Sequence, residues 1–332
     1  MRILSGMRPT GKLHLGHWVG ALSNWVKLQE EYECFFMIAD WHALMSEYKK
    51  SFQLREVIID NLADWLAWGI DPEKSVIFIQ SQIQEHLELF MILSLLTPIS
   101  WLFRCPTFKE QIKELKEKEI NTYAFLGYPV LQTADIILYK ADYVPVGEDQ
   151  LPHLELAREV VRRFHFIYQK EIFVEPQALL TQTPRLLGLD GRKMSKSYDN
   201  FIALDEEEEI LRRKVLSMFT DPKRIYRHDK GHPDECNVFS YYSVFFPQEK
   251  EEIKKACLSA QIGCKDCKNK LADLFVEFIA PYREKKKKIL KEKKNIYNIL
   301  KEGEKRAKSV AEKTLSEAKK VLGINEGKIR NF

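Results

Sequence analysis

Two histidines near the start of the chain, His14 and His17, are the first side chains whose spacing indicates a catalytic or ligand-binding role. They follow a short apolar run at Ile3 and Leu4 and precede apolar residues at helical spacing, which predicts a strand, a turn and a helix. Residues three apart share a helix face, so both imidazoles can point at one ligand. The helix dipole and the free N–H groups of the turn favour an anion. The alternative is a pair of surface histidines at a helix cap.

The glycine-rich turn before the histidines is not a P-loop. Gly6, Gly11 and Lys12 nearly match that motif, but Leu13 stands where a magnesium-binding Ser or Thr is required. Pro9 also removes one of the N–H donors that such a loop uses.

A second segment with phosphate-binding side chains lies far downstream, at 188–200. It contains Gly188, Leu189, Asp190 and Gly191, followed by Lys193, Met194, Ser195, Lys196 and Ser197. Ammonium and hydroxyl groups donate hydrogen bonds to phosphates, and the lack of apolar periodicity predicts a mobile loop. Such a loop can close over pyrophosphate as a lid. A solvated surface turn is the alternative.

These two segments, in this order and separation, resemble the two signatures of the class I aminoacyl-tRNA synthetases. A third segment, 144–150 (Val-Pro-Val-Gly-Glu-Asp-Gln), narrows the resemblance to the tryptophanyl-tRNA synthetases. The resemblance covers nearly the whole chain. It implies activation of L-tryptophan by ATP, with Mg²⁺ between the phosphates, and transfer to tRNA(Trp). The catalytic residues that it implies are His14, His17, Lys193 and Lys196.

The same resemblance assigns binding residues. Those for ATP are Arg8, Thr10, Gly16, His17, Gly147, Asp149, Lys193, Met194, Ser195 and Lys196. Those for tryptophan are Leu4, Gly6, His42, Tyr128, Gln132, Asp135, Val144, Val146 and Gln150. Asp135 is expected to accept the indole N–H, and Gln150 with Tyr128 to hold the ammonium. The chain departs from the usual tryptophanyl pattern where His17 replaces Asn and where Arg8 replaces Gln, which leaves the role of Arg8 open.

Asp135 also stands out on physical grounds. Its neighbours Val130, Leu131, Ile136 and Ile137 belong to an apolar segment that predicts a helix. A buried carboxylate is costly unless something donates a hydrogen bond to it. A helix cap or an ion pair could supply that donor, and so could the N–H of a ligand.

The elements that must position these residues alternate between strands and helices. Residues 34–40 and 75–80 are continuous apolar runs, typical of buried parallel strands, and 54–66 keeps helical spacing. This pattern predicts a Rossmann-like doubly wound sheet, in which ligands bind beyond the carboxyl ends of the strands. Asp40 and His42 follow such an end and are site candidates, with structural capping as the alternative.

We expect a catalytic domain over 1–204 and a helical anticodon-binding domain over 205–332. Asp205 is expected to cap the first helix of the second domain, with the acidic residues 206–209 in its first turn. From about 98 to 127 a charged segment interrupts the nucleotide fold. The family resemblance implies that this insertion forms a homodimer interface.

Four of the six cysteines lie in the second half of the chain, at Cys236, Cys257, Cys264 and Cys267. A cytoplasmic chain does not need disulfides, so this cluster indicates a metal site. Four thiolates suit zinc or an iron–sulfur cluster, and spacing does not choose between them. A similar cysteine pattern in some bacterial tryptophanyl enzymes favours a [4Fe–4S] cluster, with zinc or four free thiols as alternatives.

The distribution of charge points to a polyanionic partner. Residues 281–332 carry 17 Lys and Arg against 7 Asp and Glu, whereas 1–280 carry 35 against 41. The basic end, with its lysine run at 285–288, is expected to bind tRNA, and a solvated helix surface is the alternative. No apolar run approaches the roughly 18 residues of a membrane span, and no signal pattern opens the chain, so we expect a cytoplasmic protein without a membrane partner.

These sequence patterns leave three other functions open. A tyrosyl-tRNA synthetase shares the architecture, although the hydroxyl-binding pair that it needs is not evident. A nucleotidyltransferase also uses two histidines in this spacing but does not need the basic end. A non-catalytic iron–sulfur RNA-binding protein would explain the cysteines and lysines but not Lys193 to Ser197.

Overall fold

Five parallel strands form the central sheet, in the order β3-β2-β1-β4-β5. They are β1 (Arg2–Met7), β2 (Glu33–Ile38), β3 (Ser75–Ile79), β4 (Tyr143–Val146) and β5 (Gln177–Leu180). The computed structural model describes residues 1–104, 122–180, 186–192, 194 and 196–324. The chain moves outward from β1 to β3 and then returns to the other side of β1 as β4. A crevice therefore opens at the carboxyl ends of β1 and β4, as in other doubly wound sheets.

The predicted Rossmann-like sheet is confirmed, and helices cover both of its faces. The helices before the expected domain boundary are α1 (15–28), α2 (Asp40–Glu47), α3 (Leu54–Ala67), α4 (Glu85–Ser94), α5 (Ile99–Arg104), α6 (Tyr123–Leu138) and α7 (Leu151–Tyr168). Those after it are α8 (Glu208–Ser217), α9 (Asn237–Phe245), α10 (Pro247–Leu258), α11 (Cys264–Lys291) and α12 (Lys293–Val321). Within α1, a π-helical turn at Trp18–Leu22 interrupts the α-helix. None of the described helices is long and apolar enough to span a bilayer.

Alternate residues of each strand face opposite sides of the sheet, which divides the apolar core in two. Phe36 and Ile77 belong to one cluster, together with Leu62 of α3 and Phe275 of α11. The other cluster holds Phe35 and Phe78, with helices α4, α6 and α7. This alternation is the side-chain period of a strand buried on both faces.

The C-terminal helices pack directly on the part of the chain that forms the sheet. Ala307 and Ala311 of α12 lie in the second cluster with the residues of β3. Gly303 passes so close to this strand that an added Cβ would lie 1.7 Å from the carbonyl oxygen of Ile77. Only a residue without a side chain allows that approach.

The expectation that Asp205 caps a helix is wrong. The helix begins three residues later, at Glu208, with Glu207 at its N-cap. The Asp205 carboxylate instead accepts a hydrogen bond from Lys286 at 2.9 Å, and Lys12 lies 3.6 Å away. Its charge is therefore used to join two parts of the chain.

The basic end is less exposed than the sequence suggested. Lys286 is 3% exposed, although it stands within the lysine run. Arg283 donates to the carbonyl oxygen of Glu206 at 2.7 Å, and Arg306 donates to those of Pro72 and Ser75 at 3.3 Å. The alternative of a solvated basic helix surface is therefore wrong for the side chains of Arg283, Lys286 and Arg306. The middle of the predicted dimer insertion, 105–121, lies outside the described residues.

Candidate active site

A cavity of about 320 Å³ opens at the carboxyl ends of β1, β2 and β4, where a doubly wound sheet binds ligands. All nine residues that the sequence predicted for tryptophan line it. They are Leu4, Gly6, His42, Tyr128, Gln132, Asp135, Val144, Val146 and Gln150. Arg8 and Gly147, predicted for ATP, line the same cavity. The fold thus gathers residues from several separate segments of the chain.

The acidic side chain that lines this cavity is Asp135, which is 1% exposed. Its Oδ2 accepts from His42 Nε2 at 2.8 Å, and its Oδ1 accepts from His86 Nδ1 at 2.7 Å. Gln80 Nε2 lies between the two oxygens, at 2.8 and 2.9 Å. Burial alone would raise the pKa of this carboxyl, but the histidine hydrogen bonds lower it to about 2. Asp135 is therefore an anion held by three hydrogen-bond donors.

Further polar groups reach the cavity from α6 and from the start of α7. Tyr128 stands seven residues before Asp135 in α6, about 10 Å along the helix axis. Its hydroxyl is 3.0 Å from His153 Nε2, and Gln150 Nε2 donates to Asp149 Oδ2 at 2.9 Å. Burial lowers the pKa of His153 to about 4, so this imidazole is neutral near pH 7. The oxygens of Tyr128 and Gln150 can accept hydrogen bonds from an ammonium.

His14 and His17 lie together, with ring centroids 3.8 Å apart. Burial lowers the pKa of His14 to about 3, and burial, followed by the neighbouring His14 and Lys196, lowers the pKa of His17 well below its usual value. Both rings are therefore neutral near pH 7. His17 Nδ1 accepts the backbone N–H of His14 at 3.1 Å, which places the ring proton of His17 on Nε2. The pair can donate neutral hydrogen bonds to an anion.

Lys196 joins the two signature segments. Its Nζ donates to the carbonyl oxygen of Gly11 at 3.1 Å and lies 3.5 Å from Thr10 Oγ1. Burial, with the charge of Arg8, lowers the pKa of Lys196 to about 8. Lys193 and Ser195, also predicted for ATP, lie outside the described residues.

The backbone of the first signature also pairs with residues just beyond the second segment. The N–H of Leu15 donates to the carbonyl oxygen of Ile202 at 3.0 Å, and that of Leu204 to the carbonyl oxygen of Leu13 at 3.0 Å. At Gly16, an added Cβ would lie 3.0 Å from the His14 ring and 3.1 Å from Met194 Sδ. A side chain at this position would push both residues out of place.

The Asp40 carboxylate belongs to the framework rather than to the cavity wall. Its Oδ1 accepts the backbone N–H groups of Trp41 at 3.0 Å and Ser81 at 2.9 Å. Asp40 thereby ties the start of α2 to the segment that follows β3. The structure therefore gives Asp40 a structural role at the start of a helix, which is the alternative that the sequence left open.

The four clustered cysteines meet where α9 and α11 begin and α10 ends, and none of them is in a disulfide. Burial and the neighbouring thiols raise the pKa of Cys267 to about 12. As placed, no three His, Cys, Asp or Glu side chains in the described part of the chain form a group that could hold a metal ion. The predicted ligands Cys236, Cys257, Cys264 and Cys267 are therefore near one another without forming a ready-made site.

Comparison with known proteins identifies the family. A family model for class I tRNA synthetases (W and Y) matches residues 1–280. The tryptophan–tRNA ligase of Thermotoga maritima is 50% identical over 327 residues, which cover 98% of this chain and 99% of that protein. The chain belongs to the tryptophan–tRNA ligases.

Two further relatives agree with this membership. The tryptophan–tRNA ligase of Aquifex aeolicus is 42% identical over 395 residues, covering 98% of this chain and 100% of that protein. The tryptophanyl-tRNA synthetase of Campylobacter jejuni, solved with ADP and tryptophan, matches with a TM-score of 0.88 at 32% identity, covering 97% of this chain and 100% of that one. The tyrosyl-tRNA synthetase of Archaeoglobus fulgidus has a TM-score of 0.66 at 23% identity, which shows a shared fold alone.

Several residues of this ligase's cavity were not found from the sequence. His153 is three residues beyond Gln150 on the same helix, which is a weak signal. Asn24 and Ala21 also line the cavity, from the part of α1 that contains or follows the π-helical turn, and the apolar periodicity does not reveal such a turn. Gln80 and His86 contact Asp135 from another part of the chain, and only the fold brings them there.

Proposed function

We propose that this protein uses ATP to convert L-tryptophan into tryptophanyl-adenylate in the cavity described above and then transfers the tryptophanyl group to tRNA(Trp). The observation that carries the proposal is Asp135, a buried anion at the wall of a cavity to which Leu4, Val144 and Val146 contribute apolar surface. The indole ring matches such a site because it is apolar except for one N–H donor. Asp135 accepts that N–H, and the apolar walls enclose the ring.

The ammonium end of tryptophan is placed by Tyr128 and Gln150. Both line the cavity, and they come from different segments of the chain. Binding tryptophan at both ends holds its carboxylate in one orientation, which reduces the entropic cost of the reaction. His153 supports Tyr128 through the hydrogen bond at 3.0 Å.

The reaction needs no nucleophile from the protein. A carboxylate oxygen of tryptophan forms a bond to the α-phosphorus of ATP, the bond to the β-phosphate bridging oxygen breaks, and pyrophosphate leaves with the electron pair. Negative charge develops on the phosphate oxygens during this step. His14 and His17 donate neutral hydrogen bonds to these oxygens, and Lys196 supplies a positive charge. The other residues of the predicted ATP site are Arg8, Thr10, Gly16, Gly147, Asp149, Lys193, Met194 and Ser195.

Magnesium that binds together with ATP would supply positive charge beside the phosphates.

The cysteine cluster is proposed to hold a [4Fe–4S] cluster, with zinc as the alternative. The support is the donor set, because four sulfur ligands suit either group. The ends of three helices meet there, so the group would fix α9, α10 and α11 relative to one another.

Metal analysis and the visible absorption of the purified protein test this proposal. A brown protein that contains iron and sulfide and bleaches on reduction supports it, whereas one equivalent of zinc in a colourless protein replaces it. Cys264→Ser should lose the group and keep tryptophan activation, while Cys34→Ala, far from the cluster in β2, should retain it.

The protein is also proposed to act as a cytoplasmic homodimer. Leu87, Met91, Leu95, Ile99 and Tyr123 are exposed apolar residues of α4 to α6, beside the predicted insertion. Patches of this kind mark interaction surfaces. Light scattering should give twice the 39.1 kDa of one chain. Met91→Asp should yield monomers, whereas Ile225→Asp, at an exposed apolar residue elsewhere, should not.

Exchange of labelled pyrophosphate into ATP, measured with each amino acid in turn, tests the function as a whole. Exchange that depends on tryptophan alone, together with charging of tRNA(Trp), supports the proposal. Exchange with tyrosine would favour the tyrosyl enzyme, and the absence of exchange with every amino acid would favour the non-catalytic RNA-binding protein.

A further inference from the structure

Three buried side chains form a group around Asp135 that does not reach the cavity. Gln80, His86 and Tyr139 are each 0% exposed. Gln80 follows β3, His86 lies in the first turn of α4, and Tyr139 ends α6. None of them is part of the cavity wall, so they can affect a ligand only through Asp135.

The hydrogen bonds of this group form a chain in one direction. His86 Nδ1 is 2.7 Å from Asp135 Oδ1, and His86 Nε2 is 2.8 Å from the Tyr139 hydroxyl. An ionised carboxylate only accepts hydrogen bonds, so Nδ1 of His86 must carry a proton. Burial raises the pKa of Tyr139 well above its usual value, so its hydroxyl keeps its proton and can donate to Nε2. With a proton on Nδ1 of His86 and the Tyr139 hydroxyl donating to Nε2, both bonds are satisfied.

The hydrogen bonds to Asp135 come from three donor atoms, one of which is shared. His42 Nε2 contacts Oδ2, His86 Nδ1 contacts Oδ1, and Gln80 Nε2 is within hydrogen-bond distance of both oxygens. The two oxygens of a carboxylate offer about four acceptor positions. When Gln80 donates to one oxygen, the other oxygen keeps a position for a donor in the cavity. None of the three donors is a Lys or Arg side chain.

We propose that His86 and Tyr139 are positioning residues for the selection of tryptophan. Tyr139 holds the His86 ring in its Nδ1–H form, and His86 together with Gln80 fixes Asp135 as the acceptor of the indole N–H. This inference rests on the proposed role of Asp135 and assigns the residues that make the role possible. Without them the carboxylate would rotate or recruit water, and the site would bind the indole ring without testing for its N–H.

The test compares two substrates that differ at the indole nitrogen. Tryptophan carries the N–H, whereas β-(3-benzothienyl)alanine carries sulfur in its place. A site built to accept an N–H rejects an analogue that lacks it by about 10⁴-fold. The quantity to measure is the ratio of kcat/KM values for the two substrates in pyrophosphate exchange, with the full-length protein. A merely structural residue changes both values together and leaves the ratio constant.

Three variants separate positioning from stability. His86→Leu removes both hydrogen bonds and should lower the ratio about 10- to 100-fold, as the removal of supporting hydrogen bonds does at other sites. His86→Asn places an amide N–H close to the position of Nδ1 and should recover most of that loss. Tyr139→Phe removes only the second bond and should lower the ratio about threefold or more. Tyr241→Phe is the matched control, since this buried hydroxyl donates to Leu187 at 2.7 Å in another part of the chain.

The outcomes distinguish this inference from the proposed function. The control Tyr241→Phe should keep the ratio within twofold of the parent ratio. If His86→Leu or Tyr139→Phe also keeps it within twofold, the inference is overturned. If His86→Leu does not fold, Tyr139→Phe decides in the same way. A parent protein that does not distinguish the two substrates overturns the role of Asp135 and this inference with it. A parent that does not activate tryptophan overturns the proposed function itself.

Discussion

Asp135 and Lys286 are both charged and both buried, but their surroundings are opposite in kind. Asp135 is 1% exposed and accepts hydrogen bonds from Gln80, His42 and His86, none of which is a Lys or Arg side chain. Lys286 is 3% exposed and lies 2.8 to 3.0 Å from the carboxylates of Asp60, Asp64 and Asp205. One buried charge lines a cavity and is held by an amide and two imidazoles, while the other is surrounded by three carboxylates.

The difference indicates which buried charge is available for a ligand. An ammonium has three N–H donors, and that of Lys286 lies against three carboxylates at 2.8 to 3.0 Å. Asp60 and Asp64 belong to α3, whereas Asp205 precedes α8, so Lys286 joins α11 to two other parts of the fold. Burial raises the pKa of Asp64 to about 7; burial would also raise the pKa of Asp205, but the charge of Lys286 lowers it. Lys286 therefore stabilises the fold, and Asp135 is free to act in the cavity.

The largest effect on this comparison is expected from Asp135→Ala. Tryptophan activation should fall by about 10⁴-fold in kcat/KM, because the indole N–H would lose its acceptor. The KM for ATP should stay near that of the parent, since Asp135 is not part of the predicted phosphate site. Pyrophosphate exchange at varied tryptophan and ATP measures both. Activation within tenfold of the parent would make Asp135 a structural carboxylate like those around Lys286.

The next largest effect is expected at Lys196. Lys196→Ala should lower the rate of adenylate formation about 10²- to 10³-fold, the range for loss of one positioned donor to developing charge. Tryptophan affinity should hardly change, and equilibrium binding of tryptophan checks this. Loss of tryptophan binding with intact chemistry would place Lys196 at the amino-acid site.

Lys286→Met should cost stability rather than specificity. Removing one partner of a buried charge cluster typically destabilises a protein by about 3 to 5 kcal/mol, because the remaining charges are uncompensated. The free energy of unfolding in urea measures this loss. Lys287→Met is the neighbouring control: Lys287 is exposed and pairs with Glu207 and Glu284, and its loss should hardly affect stability. Equal stability of the two variants would contradict the structural role of Lys286.

The pH dependence of ATP use should report Lys196. Because its pKa is lowered to about 8, the free protein loses this positive charge as the pH rises above 8. The kcat/KM for ATP should therefore fall at higher pH, by about tenfold per unit at most. Lys196→Arg keeps its charge at these pH values and should remove the decline. A decline of the same size in Lys196→Arg would assign it to another group.

The smallest effects are expected at the exposed lysines of the basic end. Lys285, Lys288 and Lys291 are exposed, unlike Lys286. Their joint change to Ala should weaken tRNA binding and lower its log–log salt slope by about 0.7 to 0.9 for each phosphate that is no longer neutralised. Tryptophan activation should not change. An unchanged slope would leave these lysines with a role in solubility alone.

The sequence predicted the fold and the cavity better than the charge network. β1, β2 and β3 were found because buried parallel strands are continuous apolar runs, whereas β5 is a short strand with partly exposed residues. Asp135 was recognised because a carboxylate is unusual in an apolar helix. Lys286 was misread because its partners Asp60 and Asp64 are far away in the chain, and a lysine among lysines resembles a solvated surface. Position along the sequence does not indicate such long-range partners.

Asp135→Asn and Lys286→Met, compared in the same two assays, decide whether the two buried charges have different roles. The assays are kcat/KM for tryptophan in pyrophosphate exchange and the free energy of unfolding in urea. We expect Asp135→Asn to lose far more activity than Lys286→Met, and Lys286→Met to lose far more stability than Asp135→Asn. If both variants lost activity and stability in the same proportion, Asp135 and Lys286 would not differ in role.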